Sequence, residues 1–224
     1  MKRILLIASA IAGMFLTAAC QQELYEPETN GTVTYEITLP SQMQTKASHD
    51  YSEYDLYYEV YKTVSETELA DNTLEPLFEK RVDMTGNTHT LNLELLNNQS
   101  YTILFWANKK GVDYYDLGNL RNVVMKQCAS NNNDRDAFCG KDQITDVTTA
   151  AKRTVELTRP FAQVNIATLI KTEEYNIVPQ SSLVKFTSVP TAYNVFTEEP
   201  LSVAEVTYNV NTVPGGQFDG TEYF

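Results

Sequence analysis

Basic residues are scarce in this sequence: 17 lysines and arginines stand against 29 aspartates and glutamates, and two of the 17, Lys2 and Arg3, lie at the extreme N-terminus. Without that pair, 15 basic residues remain against 29 acidic ones, a formal charge of −14. Such a balance argues against nucleic acid and anionic membrane surfaces as partners, because both need a cationic footprint. Histidine is nearly missing. His49 and His89 are the two present, and neither stands at ligand spacing from a cysteine, which disfavours zinc. No run after the first sixteen residues approaches the length of a membrane-spanning helix. The G-x-S-x-G, H-E-x-x-H, P-loop and G-x-G-x-x-G patterns are all absent. The acid pairs Glu173-Glu174 and Glu198-Glu199 sit in polar connecting segments, where neighbouring side chains point apart. No catalytic residue, metal site or cofactor is expected.

The N-terminus is what one would call informative. Lys2 and Arg3 precede an apolar run from Ile4 to Leu16 that is too short to span a bilayer, so residues 1–19 form a signal peptide. The run ends in "LTAAC", with Thr17, Ala18 and Ala19 leading into Cys20 and then the polar "QQE". This is similar to the lipobox of bacterial lipoproteins, with Thr17 in the position that usually holds leucine. The similarity implies cleavage before Cys20, acylation of its side chain, and a chain that hangs from a membrane without crossing it. Residues 20–31 would then be the lipidated linker.

The rest reads as all-β. In "TVTYEITLP" Val33, Tyr35, Ile37 and Leu39 share one face. In "YDLYYEVYK" Leu56, Tyr58 and Val60 oppose Tyr57, Glu59 and Tyr61. "LEPLFEKRVDM" is a weaker strand whose Pro76 suits a sheet edge or a bent start. "THTLNLELLNNQSYTILFWANK" predicts a hairpin whose second strand, apolar on both faces, is central, with Trp106 in the core or at its rim. "RTVELT" alternates again, and Arg159-Pro160 then interrupts before "FAQVNIAT". Pro160 lacks an N–H and restricts the residue before it, so the break marks a strand crossing between sheets or a seam between domains.

Between Lys109 and about Thr149 the pattern becomes irregular and reads as an insertion. Its "SNNNDRDAF" carries oxygen ligands, yet lacks the glycine and terminal glutamate of a calcium loop, so a solvated turn is the better reading. "DYYDLGN" places Tyr114 and Tyr115 in a loop that either packs over the end of the sandwich or stacks on a sugar. Cys128 and Cys139 flank the Asn-rich stretch. Outside the cytoplasm a disulfide between them is chemically allowed, and closing so short a loop would stabilise by about 3 kcal/mol if the geometry fits.

Taken together, the lipoprotein signal, the strand "VTYEITLP" followed by "SQMQTKA", the junction "LTRPFAQVNIAT" and the later "LVKFTSVPTAYNVFTEEP" resemble the fimbrillin-like proteins of Bacteroidales. The resemblance implies two tandem Greek-key, transthyretin-like β-sandwich domains, residues 32–158 and 159–224, with Ala162, Val164 and Ile166 opening the core of the second. Only three or four strand candidates follow Phe161, so the second domain is expected to be truncated. The resemblance further implies a lipid-anchored outer-membrane or cell-surface protein, a fimbrial subunit or adhesion component without catalytic activity. Its partners would be other fimbrial subunits and host or bacterial surface ligands. In pilus-forming members a protease cuts after a basic residue beyond the first strand, and the vacated groove accepts a strand from the next subunit. Lys46 stands at that position here, where the family more often has arginine. A carbohydrate-binding surface lipoprotein of a glycan-uptake system is the alternative.

Overall fold

The computed structural model describes residues 30–40, 53–63, 65, 67–68, 73–126, 133–148, 150–162, 164–166, 182–210 and 222–223. Two sheets pack face to face. The first is three-stranded, ordered β4-β1-β9, from β1 (Asn30–Thr38), β4 (Thr88–Leu96) and β9 (Ala150–Glu156). The second is antiparallel, ordered β3-β2-β5-β8, from β2 (Tyr54–Lys62), β3 (Phe78–Met84), β5 (Tyr101–Lys109) and β8 (Ala137–Ile144). β1 runs antiparallel to β4 but parallel to β9. The expected all-β sandwich is therefore what the chain forms.

Strict alternation explains the core. Val33, Tyr35 and Ile37 of β1 meet Leu56 and Val60 of β2 and Ile103 and Phe105 of β5 in one cluster of fully buried residues. Tyr35 and Phe105 pack edge to face with centroids 5.4 Å apart. The Tyr35 hydroxyl donates to Asp142 at 2.9 Å, so burying the phenol strands no donor.

As expected, β5 is central and β3 is an edge. The expected insertion, however, contains a regular strand: β8 pairs with β5 along its whole length. Its pattern was hidden because two core-facing positions are not apolar. Gly140 leaves room for Leu157, whose Cδ2 lies 2.9 Å from where a Cβ would stand. Asp142 is neutralised by Arg153, which donates to Oδ1 at 2.6 Å.

The Arg159-Pro160 break follows a crossing between sheets. Leu157 N–H still donates to Thr38 of the first sheet, while Thr158 exchanges both backbone hydrogen bonds with Cys139 of β8 in the second. Arg159 then pairs with Asp136 at 2.5 Å and lies over the Phe138 ring. Beyond the proline, Phe161 turns inward against Trp106 and Tyr193. Alternation carried on from Phe161 leaves Ala162 and Val164 exposed, so the predicted inward face is reversed at these two positions. The Ile166 side chain lies outside the described residues.

A second layer covers part of the outer face of the β3-β2-β5-β8 sheet. β6 (Tyr115–Asp116) and β7 (Val123–Met125) pair with each other, and β7 pairs with the end of β11 (Ser182–Asn194). β11 and β12 (Glu199–Val210) form a long antiparallel ribbon with several irregularities. The tip of that ribbon, Tyr193, Val195 and Phe196, joins Leu104, Trp106, Leu120 and Val123 in a second buried cluster. β10 (Asn165–Ile166) and β13 (Glu222–Tyr223) form a separate two-stranded pair.

Candidate functional site

Register makes a grid of the sheet's outer face. One cross-strand row reads Asp83, Asp55, Asn108, Ala137 from β3 to β8. The next reads Arg81, Tyr57, Trp106, Cys139, and the third Glu79, Glu59, Leu104, Lys141. The β5-β8 half is apolar around Leu104, Trp106, Ala137 and Cys139 and is covered there by the second layer. The β3-β2 half is polar, and there a cleft of about 760 Å³ remains between the sheet and the 112–120 segment.

The cleft floor is held by buried polar groups. Asp55 is 1 % exposed, and Arg81 donates to its Oδ2 at 2.5 Å. Its other oxygen, Oδ1, is buried without a hydrogen-bond partner, and so is Oδ1 of the adjacent Asn108. Arg81 also lies over the Tyr57 ring, 5.7 Å from its centroid. Across the cleft, Lys126 and Asp113 pair at 2.5 Å.

Glu59 fixes the roof. Its Oε1 accepts the Leu120 N–H at 2.8 Å, and its Oε2 accepts the Tyr61 hydroxyl at 2.5 Å. Burial pushes this carboxyl above the ordinary glutamate range, and those two hydrogen bonds pull partly back. Arg121, fully buried, lies over the Tyr61 ring at 4.6 Å and donates to the Leu74 carbonyl. Trp106 is fully buried beside Tyr115, edge to face at 5.1 Å, and the Tyr115 hydroxyl donates to the Arg135 carbonyl. Tyr115 thus packs inward, as a loop tyrosine over the sandwich.

The sequence-derived positions fall elsewhere. Cys20, Lys46 and Cys128 lie outside the described residues. Cys139 has a free, buried thiol in the row of Trp106, and burial pushes it up to about 12. In the Asn-rich stretch, Asp134 pairs with Lys109 at 2.5 Å and Asp136 with Arg159, so both carboxylates serve ion pairs. Among the described residues no group of three His, Cys, Asp or Glu side chains is placed to hold a metal ion. Sequence reasoning missed Asp55, Arg81 and Asn108. The available signal was Asp55 and Glu59 sharing a strand face with two tyrosines, opposite Leu56, Tyr58 and Val60.

Residues 23–217 match the model of a family described as being of unknown function, DUF6562. No curated protein matches the sequence. Among solved structures, a candidate polysaccharide-binding protein (DUF1812) from Bacteroides thetaiotaomicron superposes with a TM-score of 0.59 at 12% identity, covering 86% of this chain and 69% of that one. A candidate adhesin from Bacteroides ovatus gives 0.52 at 17% identity, covering 87% and 71%. A second candidate adhesin, from B. thetaiotaomicron, gives 0.53 at 14% identity, covering 89% and 70%. These likenesses show a fold shared with the two candidate adhesins and the candidate polysaccharide-binding protein.

Proposed function

The chain belongs to the DUF6562 family, and we propose that this member is a non-catalytic cell-surface component of the fimbrillin type, a fimbrial subunit or adhesion protein tethered through a lipid on Cys20. The adhesin fold of its structural neighbours supports the surface role. The sequence "LTAAC" after a short apolar run supports the anchor. On this reading Arg159-Pro160 is the seam between the 32–158 and 159–224 units.

One observation carries the assembly role. β1 lies between β4 and β9, hydrogen-bonded on both sides, and Val33, Tyr35 and Ile37 point wholly into the core. It is thus a self-contained strand with one-sided side-chain specificity, followed by a segment that contains Lys46. Cutting at Lys46 would free it to leave. The vacated slot would then present two unpaired edges and an apolar trough, which favour capture of an equivalent strand from another subunit. The test is limited trypsin digestion followed by size-exclusion chromatography and negative-stain microscopy. Ladders from the cut wild type, absent in Lys46→Gln, are expected; cut protein that stays monomeric and keeps β1 would overturn the assembly role. For the anchor, labelling with a palmitate analogue should mark the wild type and spare Cys20→Ser.

A further inference from the structure

We propose that the cleft between the outer face of β2 and β3 and the 112–120 segment binds a neutral saccharide. This goes beyond the surface-component reading and does not rest on strand release.

Four features of the site point to that ligand class. The first is size: about 760 Å³ falls within the ~300–1,000 Å³ span of small-ligand sites and leaves room for more than one sugar ring. The second is polarity. Ligand pockets are mostly apolar, whereas this one is floored by the polar rows of the sheet, and a hydroxyl-dense ligand is the kind that matches such a floor.

The third is an unmet acceptor. Asn108 lines the cleft, is 3 % exposed, and its amide donates to the Lys109 carbonyl at 2.9 Å while its Oδ1 has no partner. A buried acceptor left unpaired is unfavourable, and a ligand hydroxyl that reaches it makes a bond not taken from water. Because this oxygen is itself buried, a ligand hydroxyl would reach it only with a local movement of the groups that cover it. Beside it, Tyr57 offers a half-buried ring; Arg81 lies over one face, 5.7 Å from the centroid, so a pyranose would meet the part of the ring that Arg81 leaves uncovered, next to the further N–H donors of that guanidinium.

The fourth is charge. Of the three cations in the lining, Lys80, Arg81 and Lys126, two are held in ion pairs, Arg81 with Asp55 and Lys126 with Asp113, each at 2.5 Å, and the charge of Lys80 is opposed in the same lining by that of Glu59. Glu79 and Asp116 add negative charge to the lining. Phosphate, sulfate and uronate ligands are therefore disfavoured, and a metal ion at Asp55 would have to compete with the Arg81 guanidinium.

The test is isothermal titration of the full chain with maltohexaose, cellohexaose and mannohexaose, with hexagalacturonic acid as the anionic comparator. At least one neutral hexasaccharide should bind with a Kd below about 1 mM. Tyr57→Ala should weaken that binding about tenfold or more, while Tyr57→Phe, which keeps the ring, should stay within about twofold. Asn108→Ser provides a second variant on the opposite strand and should also weaken binding, whereas Lys185→Ala on the distant ribbon should not. Thermal melts of each variant certify folding. Absence of binding by all three neutral sugars, preference for the galacturonate, or wild-type affinity in a folded Tyr57→Ala would each overturn the assignment.

Discussion

Glu59 on β2 accepts the backbone N–H of Leu120, a residue 61 positions further along the chain, at 2.8 Å. This single carboxylate ties the second layer to the sheet: its other oxygen holds Tyr61, whose ring carries the buried Arg121. The cleft has a roof because Glu59 is inside.

Glu59→Ala should lower stability by about 2–4 kcal/mol in urea titration, because it strands the Leu120 N–H and removes the anion facing a buried guanidinium. The effect should exceed that of Glu36→Ala on the exposed face of β1, which should stay within about 0.5 kcal/mol. Equal losses would show that Glu59 is not the anchor.

The same group sets a pH signature. A carboxyl raised by burial binds its proton more tightly in the folded state, so its contribution is fully present below the unfolded value and is lost as pH rises through the folded one. Wild type should therefore lose stability relative to Glu59→Gln as pH rises from about 4.3, the ordinary glutamate value. A difference that stays constant with pH would contradict this assignment.

Gly31→Ala should destabilise the first sheet, because an added Cβ would collide with the Thr148 carbonyl oxygen, a backbone atom with little freedom to yield. A loss of about 1–3 kcal/mol is expected from such overpacking. For comparison, Ile37→Ala removes fully buried methyl groups and should lower stability by about 2–5 kcal/mol. Denaturant midpoints check both, and a neutral Gly31→Ala would mean that the start of β1 relaxes freely.

Cys139 should resist alkylation in the native protein, since burial holds its thiol near 12 and shields it. Brief iodoacetamide treatment at neutral pH followed by peptide mass spectrometry should find it unmodified, and modified after unfolding in guanidinium. A linked Cys128–Cys139 peptide under non-reducing conditions would replace the free thiol with the disulfide.

Trp106 is the single tryptophan of the chain and packs against Tyr115 and Phe161. Its emission should be blue-shifted and poorly quenched by acrylamide, and Phe161→Ala should shift it toward longer wavelength by thinning the cover. An unshifted spectrum in that variant would place the Phe161 contact elsewhere.

Alternation in the sequence by itself determined the strands that have one clean apolar face, β1, β2 and β4, and their inward residues, while β5 was legible as a central strand from its two apolar faces. It did so because one-sided burial imposes a period of two. It could not reveal β8, whose inward Gly140 and Asp142 make sense only beside Leu157, Tyr35 and Arg153. Nor could it orient Ala162 and Val164, because the aromatic that anchors that stretch is Phe161, and its partners Trp106 and Tyr193 come from distant strands. The parallel neighbourhood of β1 and β9 and the cleft beside Asn108 were likewise decided in three dimensions. Local pattern records which face of a strand avoids water; which distant groups meet across that face is set by register and sheet order, and there the buried polar residues acquire their partners.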